Sequence, residues 1–378
     1  MVHPLENGFS TPAMAEVFSA PETVAAIISF EAELALALVD AGLAPSEEAS
    51  EVAAACREPV DDPEGILASV WDSGTPLIAL REVVATRIDE SALRWFHHGA
   101  TTQDAIDTGH MIQAKKALGV LDESLTQVTR TLRGLVTEYR EQPQMGRTFL
   151  QYARPTTFGF RAAQWLDAVL TNIDDLRHER ENLRLQLGGS VGTMASYGLA
   201  ATEVLLSLAR RLDLQPPNIA WHSDRSSVHA LAEAVARSAQ TMAKIAGDIV
   251  LLAQSDVAEV KVRPGRSSSM PEKRNPIDAI RARAAAGACH GFAAMLTSAP
   301  PPELDRGIGG WHLEGFALPR VFTSAGAAVE AIGLCLESLT VNTTRMAAPV
   351  TGEDLKTLQA VDPRQIDRVL TRFNKTVM

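Results

Sequence analysis

The sequence predicts an all-α protein built around a bundle of long helices. Segments 104–141, 156–187 and 226–260 repeat apolar residues every three and four positions over roughly 30 residues each, as long amphipathic helices do. Aromatic residues make up only 5% of the chain, and Ala, Leu and Val are abundant, which favours helices over strands. No Asn-Gly or Asp-Gly pair lies between two alternating apolar runs, so no β-hairpin is predicted.

Further helices precede and follow these three. Segment 22–42 has helical periodicity and ends at Gly42, a residue typical of helix C-termini. Segment 76–95 has a similar but weaker pattern, another helix begins at Pro276, and a last one covers 316–340. Four irregular stretches remain between the helices, which are 96–103, 142–155, 188–198 and 261–276. Loops held by a rigid scaffold commonly carry function, although their Gly and Ser residues can also simply turn the chain.

Composition excludes several functional classes. With 378 residues and 46% apolar content the chain can bury a large core. The formal charge is −11 and there is no basic run, so neither nucleic-acid binding nor an anionic membrane surface is expected. The N-terminus has no basic region before an apolar stretch, and no uncharged apolar run reaches roughly 18 residues. We therefore predict a cytoplasmic protein.

Cys56, Cys289 and Cys335 are odd in number and widely scattered. This pattern is typical of reduced, unpaired thiols in a cytosolic protein. The three residues also lack metal-ligand spacing. The sequence therefore predicts no metal site and no organic cofactor.

The most informative stretch is 265–276 (GRSSSMPEKRNP). One interpretation is a polar loop before a helix, with Asn275 as N-cap and Pro276 in the first turn. That interpretation leaves three consecutive hydroxyls, beginning at Ser267, and the following Lys273 without a role. Removing a proton from carbon beside a carboxylate builds negative charge that cationic and amide donors must stabilise. Lys273 and Asn275 supply such donors, and a serine in strongly positive surroundings can act as the base.

The same stretch resembles the GSSxMPxKxNP loop of the fumarase/aspartase superfamily, which includes adenylosuccinate lyase, argininosuccinate lyase and 3-carboxy-cis,cis-muconate cycloisomerase. Two further blocks occur in the expected order. Residues 97–104 (HHGATTQD) resemble HxGATSQD, and residues 146–151 (GRTFLQ) resemble GRTxLQ. Each block alone is a weak motif, since His97 could be a structural histidine and Thr148 a helix cap. The three ordered blocks together identify the chain as a member of this superfamily.

Within the superfamily the nearest resemblance is to the 3-carboxy-cis,cis-muconate cycloisomerases, over most of the chain. It is carried by FSTPAMAEVFS near the start, by 188–196 (GGSVGTMAS), by 220–225 (AWHSDR) and by 305–314 (DRGIGGWHLE). Phe149 stands where the lyases carry a histidine, so a general-acid histidine is absent there. Two departures lie near the expected active site, which are Glu272 in place of a histidine and Leu304-Asp305 in place of an acidic-flanked histidine.

The resemblance implies that Ser267 is the catalytic base and that Lys273 stabilises the charge that develops on the substrate carboxylate. The residues implied or predicted to bind the substrate are His97, Thr101, Thr102, Arg147, Thr148, Gln151, His222, Arg225, Ser268, Met270 and Asn275. His222 and Arg225 are candidates for a second carboxylate. The alternative for these two is a surface ion pair at a helix start.

The resemblance also implies an organisation and an assembly. We expect an N-terminal helical domain over 1–95, a central five-helix bundle over 96–340, and a reduced C-terminal helical region over 341–378. Members of the superfamily assemble as tetramers whose active sites draw residues from several subunits. A homotetramer with shared active sites is therefore expected.

The predicted reaction is the conversion of a carboxylated muconate to its γ-lactone, by proton transfer at the carbon next to a carboxylate. The substrate is a small di- or tricarboxylate. The alternative enzyme is a lyase that releases fumarate from a substituted succinate, such as a nitrosuccinate- or adenylosuccinate-lyase-like C–N lyase. A non-enzymatic relative, as the lens crystallins of the superfamily are, is the third possibility. The presence of Ser267, Lys273 and Asn275 argues against it.

Overall fold

The structure is a computed structural model that describes residues 4–265, 269–270, 272–358 and 364–377. Helices make up most of the described chain, and the strands are short, so the all-α prediction is confirmed. The helices of the N-terminal part are α1 (Pro12–Val17), α2 (Ala20–Asp40), α3 (Ser46–Arg57), α4 (Pro63–Ala68), α5 (Val70–Ser73), α6 (Leu77–Ala85) and α7 (Glu90–Leu93). A 3₁₀ turn over Pro4–Phe9 precedes them.

Helix α2 confirms the helix predicted over 22–42. The Ser19 hydroxyl caps its N-terminus by accepting a hydrogen bond from the Glu22 amide, and Gly42 follows its end with a φ of 69°. The single helix predicted over 76–95 is wrong, because the chain turns between α6 and α7. The Arg87 guanidinium holds this turn by donating to backbone carbonyls of the segment that follows α3.

The centre of the protein is a bundle of long helices. Its members are α8 (Thr102–Glu138), α9 (Phe158–Glu181), the shorter α10 (Ala201–Leu212), α11 (Ser226–Leu252), α12 (Ile277–Thr297) and α13 (Glu314–Glu337). The five helices predicted for this region are present, although α9 ends at Glu181 rather than near 187 and α11 ends at Leu252 rather than near 260. Alanines dominate the buried face of α12, so α11 and α13 can pack closely against it. The core is continuous from α2 through the bundle.

The chain ends in α14 (Thr343–Ala347), α15 (Gly352–Leu358) and α16 (Arg364–Val377). Helix α16 buries Ile366 and Phe373 against α8 and α9. Its Arg372 donates hydrogen bonds to the carboxylates of Asp167 and Asp174 on α9. The C-terminal helix is therefore tied to the bundle by both apolar and charged contacts. The predicted domain boundaries remain a prediction.

A β-hairpin replaces part of the irregular stretch predicted over 142–155. Strands β1 (Pro143–Thr148) and β2 (Gln151–Thr157) pair antiparallel, and a second small pair joins β3 (Val260–Lys261) to β4 (Thr340–Val341). Phe149 and Leu150 alone connect β1 to β2, with φ of 51° and 64°. Two consecutive positive φ values are the pattern of a type I′ turn. The prediction of no hairpin was wrong because this turn contains none of the residues that normally mark it.

The three cysteines are unpaired, as the sequence predicts, and all three are buried. Cys56 is 2% exposed, and Cys289 and Cys335 are fully buried. Burial raises the pKa of Cys289 and of Cys335 to about 12 and that of Cys56 higher still. Among the described helices none combines the length and the apolarity needed to cross a bilayer.

Two glycines test how tightly the bundle is packed. Gly159 in the first turn of α9 lies so close to the turn that follows α8 that a Cβ there would be 2.5 Å from the Arg140 Cα, whereas a Cβ on Gly134 of α8 meets no atom within 4 Å. We expect Gly159→Ala to lower the free energy of unfolding by about 1–3 kcal/mol. Gly134→Ala should raise it by about 0.5–1 kcal/mol, because Ala restricts the unfolded chain. Thermal unfolding of both variants measures the difference. Equal shifts in Tm would contradict the close contact.

Candidate active site

Asp104 organises the loops at one end of the bundle. It lies in the first turn of α8, where Thr101 is the N-cap, and it is fully buried. Its carboxylate accepts hydrogen bonds from the amides of Thr101 at 3.0 Å, Gly188 at 2.9 Å and Gly189 at 2.9 Å, and its Oδ1 lies 2.7 Å from His222 Nε2. These bonds hold together residues of the segments 97–104, 188–196 and 220–225, which are far apart in the sequence. Asp104 is the last residue of the 97–104 block, but nothing in the sequence alone marks it as a site residue.

Arg225 lies in a second buried network. Its guanidinium forms hydrogen bonds with both carboxylate oxygens of Asp107 at 2.9 Å and with both of Glu314, and Nη1 also donates to the Trp221 carbonyl. Burial raises the pKa of the Glu314 carboxyl, and the Arg225 charge opposes this shift. All five N–H groups of Arg225 are thus used within the protein. The geometry favours the ion-pair alternative for Arg225, in the interior rather than at the surface.

His97 contacts an acidic side chain that the sequence analysis did not select. Glu31 of α2 is fully buried among apolar residues, and it accepts hydrogen bonds from the His97 amide at 2.9 Å and from the ring Nδ1 at 2.7 Å. His97 has a φ of 58°, a conformation uncommon for residues other than glycine. Nδ1 is held by Glu31, and no residue of the described chain forms a hydrogen bond with the second ring nitrogen, Nε2.

Arg306 connects the 97–104 block to residues 188–196, which we call the glycine-rich loop. It donates from Nη1 to the Thr101 hydroxyl at 2.8 Å and from Nη2 to the Ser190 carbonyl at 2.9 Å. Leu304 and Asp305, the departure noted in the sequence, lie on the exposed turn just before it. We use the name His97 cluster for residues 97–102, 188–190 and 306. Thr102 belongs to it and lies 3.4 Å from the Thr75 hydroxyl.

The hairpin carries the second block. Thr148 and Gln151 are paired across its tip and are exposed, whereas the Arg147 guanidinium forms an ion pair with Glu259 and stacks over Tyr152. Within the described chain no hydrogen bond joins residues 143–151 to the His97 cluster. The structure therefore does not bring the first two blocks together within one subunit.

The third block is partly described. Ser267 and Ser268 lie outside the described residues. Lys273 is exposed, and its amide donates to the Met270 carbonyl at 3.0 Å. The Asn275 carbonyl accepts from the amides of Gly265 and Ile277, both at 2.9 Å. The N-cap position of α12 is occupied by Pro276, so the prediction of Asn275 as N-cap is wrong by one residue.

One group of side chains has the composition of a metal site. Ligand atoms of Asp107, His110 and Glu314 all lie within 4.8 Å of one another. The Arg225 guanidinium already bonds both carboxylates and supplies the positive charge that an ion would bring. The group is therefore better described as part of a buried ion-pair network.

The Glu31–His97 pair makes stability depend on pH. Burial disfavours the charged imidazole, but the charge and hydrogen bond of Glu31 outweigh burial, with a contribution from Asp104, and raise the pKa of His97. The stabilisation is complete below the unfolded-state pKa of about 6.5 and is lost as pH rises through the raised folded value. We expect Tm to fall as pH rises through this range, and Glu31→Gln to reduce that fall. Glu33→Gln on the same helix is the control and should leave the pH profile of Tm unchanged. A profile unaltered by Glu31→Gln would exclude this coupling.

Comparisons with known proteins agree with this organisation. Residues 7–291 match the family described as lyase. A 3-carboxy-cis,cis-muconate cycloisomerase of Pseudomonas aeruginosa is 35% identical over 347 residues, which cover 89% of this chain and 75% of that protein. A nitrosuccinate lyase of Streptomyces davaonensis is 32% identical over 364 residues, covering 92% of this chain and 76% of that protein.

A solved structure supports the same relationship. The crystal structure of 3-carboxy-cis,cis-muconate lactonizing enzyme from Pseudomonas putida superposes with a TM-score of 0.85 at 30% identity, covering 99% of this chain and 87% of that chain. The family match, the similar proteins and the similar structure all indicate the superfamily that the blocks 97–104, 146–151 and 265–276 predicted. The chain belongs to the lyase family of the fumarase/aspartase superfamily.

Proposed function

We propose that the protein is a cycloisomerase that interconverts 3-carboxy-cis,cis-muconate and its γ-lactone. The observation that carries the proposal is the similarity to cycloisomerases of this specificity, over most of the chain and in both sequence and structure. The phenylalanine at position 149 supports it too, because it occupies the histidine position of the lyases. The activity belongs to the breakdown of aromatic compounds.

In the proposed mechanism the lactone opens by β-elimination. Ser267 removes a proton from the carbon beside a carboxylate, and the electron pair moves onto that carboxylate as an aci-form stabilised by Lys273 and Asn275. The pair then forms the double bond as the ring C–O bond breaks and releases the second carboxylate. In the lactonising direction the same atoms move in reverse, and Ser267 returns the proton.

The remaining substrate contacts are assigned by position. We propose that the His97 ring nitrogen turned away from Glu31, with Thr101 and Thr102, holds a substrate carboxylate. Thr148 and Gln151 would reach it from the hairpin tip, and Ser268 and Met270 from residues 265–276, which we call the serine loop. His222, buried behind Asp104, positions the glycine-rich loop, as Arg225 positions the helices. Arg147, paired with Glu259, fixes the hairpin.

The distribution of these blocks supports a homotetramer. The apolar side chains of the hairpin tip are exposed, with Phe149 at 99% and Leu150 at 63%. An exposed apolar tip next to predicted substrate residues indicates contact with another subunit. We propose that each active site combines the His97 cluster, the hairpin and the serine loop from different subunits. A cytoplasmic location fits the three buried, unpaired thiols.

A lyase acting on a substituted succinate is the second candidate, and Glu272 is the observation that favours it. Glu272 is exposed beside Lys273. A carboxylate there would repel a third substrate carboxylate unless a neighbouring arginine compensates it. The similarity to a nitrosuccinate lyase over most of the chain gives this alternative a concrete reaction.

An ultraviolet assay separates the two reactions. We expect purified protein to remove the conjugated diene absorbance of 3-carboxymuconate, and Ser267→Ala to abolish nearly all of this turnover without changing the circular dichroism spectrum. Fumarate absorbance appearing from a panel of substituted succinates, without diene loss, would instead establish the lyase. Near-normal kcat in Ser267→Ala would remove Ser267 as the base.

Mixing inactive variants tests the shared site. Ser267→Ala and His97→Ala should each be nearly inactive alone, because each removes one contribution from every active site. If the sites are shared, reassembly of a mixture gives some sites with both wild-type blocks, and activity returns. Light scattering should give about four times the 40.6 kDa chain mass. An active monomer, or no recovery in mixtures that have exchanged subunits, would contradict the proposal.

A further inference from the structure

A cavity of about 280 Å³ lies between the β1–β2 hairpin and the C-terminal part of α11. The residues that line it include the apolar Leu150, Leu251 and Val257 and the basic Arg147 and Arg161. We call it the hairpin cavity. A volume of this size is at the lower end of that of small-ligand sites, which are commonly apolar with a few polar groups.

Arg161 is largely withdrawn from water, and no acidic side chain of the described chain forms an ion pair with it. It lies in the second turn of α9, and burial lowers the pKa of its guanidinium, although arginine stays charged at neutral pH. Its one hydrogen bond within the described chain runs from Nε to the Gln144 side-chain oxygen at 2.8 Å. A partly desolvated guanidinium with a single neutral partner is costly, and an incoming anion would relieve that cost.

The two acidic side chains whose charge attracts Arg161, Asp248 and Glu259, already form ion pairs with Lys244 and Arg147. Both oxygens of Glu259 are taken, by Arg147 and by the Gln144 amide, which donates at 2.8 Å. The Gln144 side chain therefore faces Glu259 with its amide and Arg161 with its oxygen.

Asp248 is the carboxylate on the cavity wall, and it is engaged as well. Its Oδ2 accepts from the Trp165 indole at 2.8 Å and forms an ion pair with Lys244. Among the described residues Arg147 is paired with Glu259 and Lys244 with Asp248, which leaves Arg161 as a positive charge at the cavity with no ion pair of its own.

We propose that the hairpin cavity is a binding site, anchored by Arg161, for a small carboxylate that carries an apolar group. The carboxylate would take the terminal guanidinium nitrogens, which suit two parallel hydrogen bonds. The apolar group would lie against Leu150, Leu251 and Val257. The site goes beyond the proposed reaction, because Arg161 belongs to none of the three sequence blocks. Because Leu150 belongs to both the cavity and the hairpin tip, the position of the tip would then depend on whether such an acid is bound.

Isothermal titration calorimetry of the assembled wild-type protein, with benzoate as the probe and no substrate, tests the site. Benzamide is the neutral probe of the same shape. We expect benzoate to bind, benzamide to bind at least about tenfold more weakly, and Arg161→Gln to weaken benzoate by a similar factor. Arg154→Gln is the matched control, because Arg154 is an exposed arginine of the same hairpin that does not line the cavity. It should leave the affinity unchanged.

Two further variants complete the test. Leu251→Trp narrows the cavity without altering Arg161, so it should weaken benzoate binding even if Arg161→Gln does not fold. Lys273→Ala tests whether benzoate instead occupies the serine loop, and it should retain wild-type affinity. Absence of benzoate binding to the wild type, unchanged affinity in Arg161→Gln or in Leu251→Trp, or a loss confined to Lys273→Ala would each overturn the proposal. None of these readouts depends on turnover, so failure here is distinguishable from failure of the proposed reaction.

Discussion

The ion-pair network of Asp107, Arg225 and Glu314 is the constraint on which the loop end of the bundle depends. It joins the beginnings of α8, α11 and α13 through three charged groups, each of them at most 5% exposed. Charges withdrawn from water this far are tolerated only when every donor and acceptor finds a partner in good geometry. The arginine meets that condition with all of its N–H groups. The three helix ends are therefore fixed relative to one another, and this also fixes where the attached loops begin.

The first two turns of α8 extend the same principle to the glycine-rich loop. Asp104, Asp107 and Thr108 lie on one face of the helix, at the spacing that places side chains side by side. Asp104 and Thr108 bond backbone groups of the loop, which contains Gln186 and Gly188. Carboxylates near a helix N-terminus are also favoured by the helix dipole. Side chains in the first two turns of α8 thus fix the conformation of a loop that has little regular structure of its own.

The sequence was informative where periodicity or a motif carried the signal. Helices such as α2 and α11 could be predicted because burial imposes a regular spacing of apolar residues. The Phe149–Leu150 turn could not, since its sequence carries no preference for positive φ. Asp104, Glu31 and Glu259 were missed because a carboxylate that is buried looks like any other in the sequence. Their partners are distant along the chain: Asp104 and His222 are 118 residues apart, and Gln144 and Glu259 are 115 apart. Only folding brings them together.

The burial of the three cysteines has a practical consequence for measuring the assembly. A thiol reacts as its thiolate, and sequestered groups whose pKa is this high remain inert toward labelling reagents near neutral pH. The native cysteines would therefore not be labelled, and only a cysteine introduced at the surface would give a signal in site-directed spectroscopy. A cysteine introduced in place of the exposed Phe149 would carry a spin label or fluorophore at a single defined point in each subunit. Distances between such labels would map the neighbours of each hairpin without first building a cysteine-free chain.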